Sequence, residues 1–327
     1  MLPLSYAFEP TSLRWSLGSQ DICFKNKYGS TPHLPFLQTC STSSIFLIRK
    51  KPIRFLSDFF TYGQVLPTHR LKHSAHGGLF QPTMTQAIRL LSSQPYQPRP
   101  GSRRSPASLP PNDPFTDGSL TYSSTGADSF PAPSAYAANR HSWVHIFPEG
   151  LVHQHRDVDL RYFKWGVSRL ILEAEPAPAV VPMFIDGTQR VMAEDRAFPR
   201  FVPRVGKRLR IAFGDTLDFD ATFGDLRRRW QALVRRSSGT AADGEGQPTA
   251  ALALGELTGE LRDGEEARAI RLEVARRVRE AVLQVRESLD YPAPDPSFAL
   301  RDTWAPDERK EEKKYKSSVD DSEVNQD

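Results

Sequence analysis

Short apolar runs alternate with helical stripes along the second half of the chain, and this alternation constrains the fold more than any other feature. Residues 143–147 and 179–184 are apolar runs of strand length, and 208–213 alternates like a strand. Between the first two runs, apolar residues recur at helical spacing over 161–175. Strands separated by helices indicate an α/β domain with a mostly parallel central sheet flanked by helices. We therefore predict that the three strands share one sheet and that 161–175 is the helix connecting the first two.

Additional elements extend the same alternation on both sides. Residues 13–18 have the character of a short strand, and 63–68 read as a strand that ends just before His69 and Arg70. The last and longest predicted helix carries many Arg and Glu residues opposite its apolar stripe, and we expect them to form a solvated face. Helical spacing of apolar residues predicts helices over 84–91, 219–234 and 264–288.

Segments of low complexity interrupt the predicted domain. The domain is expected to comprise residues 1–92 and 141–290, separated by a disordered insertion over 93–140 that is rich in Pro, Ser, Gly and Ala. A linker is expected over 237–262, and a Pro-rich, then charged, disordered tail over 291–327. Because 39% of the residues are hydrophobic, the chain as a whole can bury a real core.

Charge and cysteine content exclude several classes of protein. The net charge is +4 and the pI is near 9.0, a mild basic excess that suits an anionic membrane surface. Zinc-finger and RNP motifs are absent from the sequence, which argues against nucleic acid as a partner. Two cysteines, Cys23 and Cys40, cannot form a disulfide framework or a four-ligand zinc site. We expect no signal peptide, and since no run of 18 apolar residues exists, we expect any membrane contact to be interfacial.

Pro148, Glu149 and Gly150 directly follow the apolar run 143–147. In open α/β sheets, chemistry takes place in the loops just past the carboxyl ends of the strands, and these residues are predicted to lie there. As a purely structural feature, the same residues make a tight turn with Gly150 at positive φ. The sequence therefore marks this turn as the first candidate for a functional site. Upstream, Asp21 is predicted to be the N-cap of a short helix.

Two blocks of the sequence carry a family resemblance: Phe-Pro-Glu-Gly at 147–150 and Phe-Lys-Trp-Gly at 163–166. Their pairing resembles the tafazzin family, in the fungal form, within the glycerol-phosphate acyltransferase superfamily. Phe-Pro-Glu-Gly by itself indicates only the superfamily. The resemblance implies an acyltransferase fold with a mostly parallel sheet flanked by helices. Family-like blocks cover 12–27, 55–92, 141–236 and 264–288.

The resemblance implies acyl transfer between a phospholipid and a lysophospholipid, as in cardiolipin remodelling. The superfamily uses a His-x4-Asp pair, in which the His takes the proton of the attacking hydroxyl and the Asp orients the ring. No histidine of this sequence has an aspartate five positions further on, so no catalytic residue is assigned. In the family this motif precedes the block at 13–15, and we therefore expect the chain to be truncated at its N-terminus and inactive as given. Residues 28–54 interrupt the resemblance and are expected to be a non-family insert.

Four residues are implied to bind substrate: Glu149, Gly150, Arg70 and Lys164. Glu149 would brace the site, and Gly150 would let a lipid head group approach. Arg70 stands where a family Arg contacts the lipid phosphate, although it could also be a solvated surface residue. Lys164 and Arg161 are expected to open the predicted helix, as edge charges or as phosphate ligands. We expect Glu149, Gly150 and Arg70 to line one cavity.

The family works without a cofactor, on mitochondrial membranes and from the intermembrane-space side. We therefore expect no cofactor, no metal and no nucleic acid partner, but phospholipid substrates and peripheral contact with the mitochondrial membrane surface. His153 and His155 with Asp157 and Asp159 could ligate a metal, although loops carry such residues by chance. Two other functions stay open. One is a coenzyme-A-dependent lysophospholipid acyltransferase of the same superfamily, and the other is a non-catalytic lipid-binding protein.

Overall fold

The described part of the chain falls into several ranges. The predicted insert 28–54 and His153 lie outside them. The structure, a computed structural model, describes residues 14–24, 60, 63–92, 121–132, 143–151, 154–155, 157–193, 195, 197–199, 202–239, 254–257, 259–304 and 316–321.

Seven strands lie in the described ranges and form three sheets. The first sheet has the order β2-β1-β5, and both pairings in it are parallel. The other two sheets are two-stranded and antiparallel, β3 with β4 and β6 with β7. The strands are β1 (Arg14–Ser19), β2 (Val65–Thr68), β3 (Thr121–Tyr122), β4 (Phe130–Pro131), β5 (Trp143–His145), β6 (Met183–Asp186) and β7 (Arg210–Phe213).

Helices occupy the positions that the apolar stripes predicted, with bounds that differ by a few residues. Pro82 opens α2, where its fixed φ suits a first turn. Glu265 and Glu266 lie at the amino end of α7 and Arg286 near its carboxyl end, which complements the helix dipole. The α-helices are α1 (Gln20–Cys23), α2 (Pro82–Leu90), α3 (Gly166–Glu173), α4 (Thr188–Val191), α5 (Phe219–Gly239), α6 (Glu260–Asp263) and α7 (Glu265–Glu287), and a 3₁₀ helix spans Pro296–Ala299.

The parallel sheet is flanked by helices, as the sequence predicted. Trp15 of β1 and Leu66 of β2 pack with Ile88 of α2 and Leu170 of α3 in one buried cluster. Since successive residues of a strand point to opposite faces, Val65 faces the other side, where it packs with Phe24. A second, larger cluster of buried residues comes from α3, α5, α7 and β6. Helix α3 contributes to both clusters, so the core extends from the parallel sheet to the packed helices.

The prediction that residues 143–147, 179–184 and 208–213 share one sheet is wrong for the described residues. β5 pairs with β1, whereas β6 pairs only with β7, antiparallel and with Ile185 opposite Ile211. Periodicity indicates where strands lie but carries no information on their partners. Each predicted run overlaps an observed strand, although 179–184 shares only residues 183 and 184 with β6, and the predicted pairing is wrong.

The helix predicted over 161–175 begins later than expected, at Gly166. Arg161 and Lys164 therefore precede the helix in an extended segment and do not open it. The apolar stripe itself is confirmed, because Phe163, Val167 and Ile171 are buried, as are Leu170 and Ala174.

The Arg-rich side of α7 is not simply a solvated face. Arg271, Arg279 and Arg286 are buried, and each donates hydrogen bonds to backbone carbonyls, Arg271 to those of α6 and the other two to those of the segment ahead of α3. A guanidinium group carries five donors on a long stem, so it can satisfy several loop carbonyls at once. Arg276 does conform to the prediction, since it is exposed and pairs with Glu273 and Glu280.

Segments predicted to lack structure contribute ordered pieces. Residues 121–132, inside the predicted insertion, contain the β3–β4 hairpin. Gly255, inside the predicted linker, accepts hydrogen bonds from Thr85 and Arg169 through its carbonyl. In the predicted tail, Trp304 is buried and residues 316–321 contact the loop that follows β2, where the Ser318 amide donates to Ala75 O at 2.7 Å.

Candidate functional site

The parallel sheet brings three loops to one edge. β1, β2 and β5 run in the same direction, so their carboxyl ends lie at the same side of the sheet. β1 leads to Asp21, β2 leads to His69 and Arg70, and β5 leads to the turn that contains Glu149 and Gly150. This edge therefore gathers three of the four residues predicted to bind substrate.

Arg70 is held by a carboxylate on the neighbouring strand end. Its Nη2 lies 2.6 Å from Asp21 Oδ2 and its Nε lies 3.1 Å from Asp21 Oδ1, a two-pronged pairing that fixes the guanidinium plane. Both side chains are partly exposed, so the pair faces solvent at the sheet edge. His73 Nε2 is 4.0 Å from the same carboxylate, so an imidazole ring lies beside the Arg70–Asp21 pair.

The environment keeps Asp21 ionised. Burial acts to raise the pKa of its carboxyl, but hydrogen bonds from Arg70 and Ser19 outweigh that effect and hold the pKa below its ordinary value. The prediction that Asp21 is a helix N-cap is wrong, since α1 begins at Gln20 and its N-cap is Ser19. Sequence reasoning missed the pairing, because nothing in the sequence indicates that β1 and β2 are neighbours.

The turn after β5 is closed around a glycine with positive φ. The Gly150 amide donates to Phe147 O at 3.0 Å, and Gly150 has φ +66°. An added β-carbon there would lie 2.8 Å from Lys164 Cδ and 3.0 Å from Cε. The backbone conformation therefore favours glycine, and an added β-carbon would also displace the flexible side chain of Lys164.

Lys164 joins the two sequence blocks that carry the family resemblance. Its amide donates to Pro148 O at 2.8 Å, so the segment 163–166 lies alongside the turn 147–150. Its aliphatic stem crosses Gly150, as the close approach of Cδ and Cε indicates. Glu149, Gly150 and Lys164 therefore lie close together, and their role in binding substrate stays a prediction.

Buried arginines support this turn from behind. Arg279 of α7 donates to Leu160 O at 2.7 Å and to Arg161 O at 2.9 Å, just ahead of Lys164. Burial lowers the pKa of Arg279, while the charges of Asp159 and Glu149 act in the opposite direction. Arg161 is itself 3% exposed and stacks its guanidinium 4.6 Å from the ring of Trp304. It is thus a packing residue and not the surface cation that the sequence predicted.

Arg70 lies apart from the Glu149 turn. β1 separates β2 from β5, so the two strand ends are about 10 Å apart by the usual spacing of strands. That separation is close to the size of a phospholipid head group with its glycerol. A single cavity lined by Glu149, Gly150 and Arg70 stays a prediction.

Another buried polar group lies behind Arg70. His69 is 5% exposed, and its Nε2 is 2.8 Å from Ser124 Oγ in the β3–β4 hairpin. Ser124 also hydrogen-bonds to Asp128, whose pKa is lowered because hydrogen bonds from Ser124 and Ser123 exceed the opposing effect of burial. An ionised Asp128 can only accept, so Ser124 Oγ donates to it and accepts from a protonated Nε2 of His69. This chain of hydrogen bonds fixes the hairpin onto the end of β2.

The histidine and aspartates considered as metal ligands have other roles where the structure describes them. His155 packs edge-on against Phe298, with ring centroids 4.9 Å apart. Asp159 accepts from the amide of Asp295 at 3.0 Å and lies 3.9 Å from Arg286. Within the described ranges, no group of three or more His, Cys, Asp or Glu residues is arranged to hold a metal ion. None of the described helices combines the length and apolar character needed to cross a bilayer.

Comparisons with known proteins identify relatives of the whole domain. No family model matches the chain. The chain is 30% identical over 315 residues to Tafazzin of Saccharomyces cerevisiae, which covers 93% of this chain and 66% of that relative. It is 36% identical over 90 residues to Tafazzin of Drosophila melanogaster, covering 27% of this chain and 22% of that protein. It is 26% identical over 216 residues to N-acylphosphatidylethanolamine synthase of Arabidopsis thaliana, covering 65% of this chain and 48% of that protein. The chain thus spans less than two thirds of the length of each of these relatives.

Proposed function

This chain belongs to the tafazzin family, and on that basis we propose that its domain transfers acyl groups between a phospholipid and a lysophospholipid. By the same reasoning we propose cardiolipin and its lyso form as substrates, and no cofactor. The observation that best supports the proposal is the contact between Lys164 and Gly150, which joins two family blocks at the carboxyl edge of a parallel sheet.

The groups at this edge suit the head group of a lipid. The ammonium of Lys164 and the guanidinium of Arg70 are cations, and a phosphodiester is an anion that both bind well. Arg70 is already paired with Asp21, so a lipid phosphate would share or replace that carboxylate. Glu149 is half-buried at the turn, where its charge acts to raise the pKa of Arg279 on the neighbouring helix.

The reaction needs a base that these residues do not supply. The hydroxyl oxygen of the lysophospholipid attacks the ester carbonyl of the donor, the ester C–O bond breaks, and the proton of the hydroxyl ends on the departing lipid oxygen. A histidine oriented by an aspartate would carry that proton, and no His-x4-Asp pair occurs in this sequence. We therefore assign binding and orientation to Glu149, Gly150, Lys164 and Arg70, and no step of proton transfer.

A second candidate function is lipid binding without transfer, and the missing His-x4-Asp pair is the observation that favours it. A coenzyme-A-dependent acyltransferase of the same superfamily is a further alternative, but the Phe-Lys-Trp-Gly block at 163–166 supports the transacylase. The name of the Arabidopsis relative suggests a phosphatidylethanolamine amine as another acyl acceptor to include in an assay. For location, we propose peripheral contact with the mitochondrial membrane on its intermembrane-space side.

The test is an acyl-transfer assay from labelled phosphatidylcholine to a lysophospholipid. It compares the 327-residue chain with a version that carries the family's His-x4-Asp block ahead of Leu13 and lacks 28–54. We expect transfer by the second version without coenzyme A, and little by the first. Transfer that requires added coenzyme A would favour the alternative enzyme, and binding of labelled lipid without transfer by either version would favour the lipid-binding protein.

A further inference from the structure

The connection between β6 and β7 presents large apolar side chains to solvent. Phe198 is 87% exposed and Val205 is 93% exposed, and Val202 and Leu209 are exposed as well. Single exposed apolar residues are ordinary on a protein surface, but four within twelve positions of one loop are not. Such clusters are typical of surfaces that contact another molecule.

The same loop carries a concentrated positive charge. Residues 187–209 contain six Lys or Arg and two acidic residues, a net charge of +4, which equals the net charge of the whole chain. Arg190, Lys207 and Arg208 are exposed among those that the structure describes. The surface is therefore complementary to an anionic partner.

The loop is fixed by its own hydrogen bonds. The amide of Arg204 donates to Val191 O at 2.9 Å, which ties the outgoing half of the loop to the returning half. Its guanidinium Nη2 donates to Ala197 O at 2.6 Å, next to Phe198. Both bonds join Arg204 to the part of the connection that precedes Phe198, so the exposed Phe198 lies between hydrogen-bonded positions of the backbone.

The loop is joined to the candidate site. Gln154, four residues after Gly150, donates from Nε2 to Met192 O at 2.9 Å. The turn at the site also exposes an apolar residue, since Phe147 is 61% exposed. Gln154 therefore links the β6–β7 connection to the segment that follows the turn, and both the turn and the connection expose apolar side chains.

We propose that this surface docks the domain onto an anionic phospholipid bilayer. Basic and apolar residues are interspersed from 204 to 209, a composition that suits the boundary between head groups and acyl chains. Apolar side chains would enter the acyl boundary while the Lys and Arg side chains meet the phosphates. The inference rests on the proposed function, because a site that modifies phospholipids has to be reached from a bilayer. We name this surface the β6–β7 ridge, formed by Phe198, Val202, Val205, Leu209, Lys207 and Arg208.

The experiment measures co-sedimentation of the 327-residue chain with two kinds of vesicle. One is phosphatidylcholine alone, and the other is phosphatidylcholine with phosphatidylglycerol at roughly four to one. We expect binding to the anionic vesicles that weakens as salt is added, and much weaker binding to the neutral ones. Phe198→Glu with Val205→Glu should lower the partition onto anionic vesicles by about tenfold or more. Lys207→Ala with Arg208→Ala should lower it by about 25-fold, at about fivefold for each charge.

A matched control carries the same change of charge elsewhere. Leu272 and Leu300 are 59% and 61% exposed and lie outside the ridge, so Leu272→Glu with Leu300→Glu also replaces two exposed apolar residues by glutamate. We expect the control to bind vesicles as the unchanged chain does. All these positions are exposed, and circular dichroism would verify that each variant is folded.

Three results would overturn the proposal. They are equal loss of binding in the control, equal binding of the unchanged chain to neutral and anionic vesicles, and a dimer in solution that the ridge variants dissociate. The last would assign the ridge to a second copy of the chain. Transfer between short-chain lipids in free solution, measured on the version with the His-x4-Asp block, tests the proposed function without a bilayer. A negative result for membrane docking can therefore be distinguished from a negative result for the proposed acyl transfer.

Discussion

The side chain of Lys164 passes directly over the α-carbon of Gly150. This contact ties a turn after β5 to the segment before α3, and the stem of Lys164 would have to move to admit a β-carbon at residue 150. Because both blocks belong to the candidate site, a methyl group at residue 150 would disturb the contact between them.

Gly150→Ala should therefore cost more stability than the same change at a glycine with open space. Gly206 has φ +71° and no heavy atom near its absent β-carbon, so Gly206→Ala isolates the cost of a left-handed alanine, about 1–2 kcal/mol. Gly150→Ala should lose that amount plus the cost of displacing Lys164. Urea unfolding of both variants measures the difference. In Gly150→Ala with Lys164→Ala the extra loss should disappear, and its persistence would mean that Lys164 is not the obstacle.

Glu149→Ala should strongly reduce acyl transfer in the version that carries the His-x4-Asp block and lacks 28–54. The carboxylate sits in the turn that positions Gly150 and Lys164, whereas His153→Ala should leave transfer unchanged. Initial rates with phosphatidylcholine and a lysolipid measure both. An equal loss of transfer rate in the two variants would show that Glu149 has no particular part in the reaction.

The 327-residue chain itself should transfer acyl groups at least 10²–10⁴-fold more slowly than that version. This is about the contribution of one positioned general base, roughly 3–5 kcal/mol of barrier. Single-turnover assays with labelled donor lipid are sensitive enough to measure so slow a rate. Comparable rates in the two proteins would show that another group serves as base and that the assignment of roles is wrong.

Arg286→Ala should destabilise the fold far more than Arg276→Ala on the same helix. Arg286 is fully buried and donates to Val158 O at 3.0 Å, Asp157 O at 2.9 Å and Pro292 O at 2.6 Å, so its loss removes three hydrogen bonds and leaves a space inside the fold. We expect a loss of about 3–5 kcal/mol. Arg276 is exposed and pairs with glutamates, so its loss should cost under about 1 kcal/mol. Chemical denaturation of both variants gives the comparison, and similar losses would contradict it.

Mild acid should weaken the fold through His69. Burial, followed by the nearby charge of His76, lowers the pKa of His69 below its ordinary 6.5, while Asp128 opposes the shift. The unfolded chain therefore binds a proton first, so stability is full above about pH 6.5 and falls as the pH drops toward the folded pKa. The slope from one such group is at most about 1.4 kcal/mol per pH unit. Unfolding free energies of the chain and of His69→Gln between pH 7.5 and 5 should show a shallower slope in the variant.

The proximity of Glu149, Gly150 and Lys164 is easier to infer from the sequence than the pairing of the strands. Glu149, Gly150 and Lys164 lie within one stretch of chain, and a strand followed by a turn and a helix brings them together by local geometry. Arg70 and Asp21 depend on the pairing of β1 with β2, and periodicity does not encode strand partners. Arg279 and Arg286 of α7 were misjudged for a related reason, since four of the carbonyls they bind lie 118–129 residues away in sequence. For the β6–β7 ridge, the sequence shows the positive charge but does not indicate that its apolar residues are exposed.

The loop after β2 makes some of its contacts with residues 316–321, near the other end of the sequence. The amide of Phe80 donates to Asp320 Oδ2 at 3.3 Å, across 240 residues, and an added β-carbon at Gly78 would collide with the same carboxylate. During synthesis the amino-terminal strands leave the ribosome long before residues 316–321 exist. The segment that follows Arg70 therefore spends most of translation without its final contacts, open to chaperones and proteases, and it reaches its mature form only after the ribosome has passed residue 320.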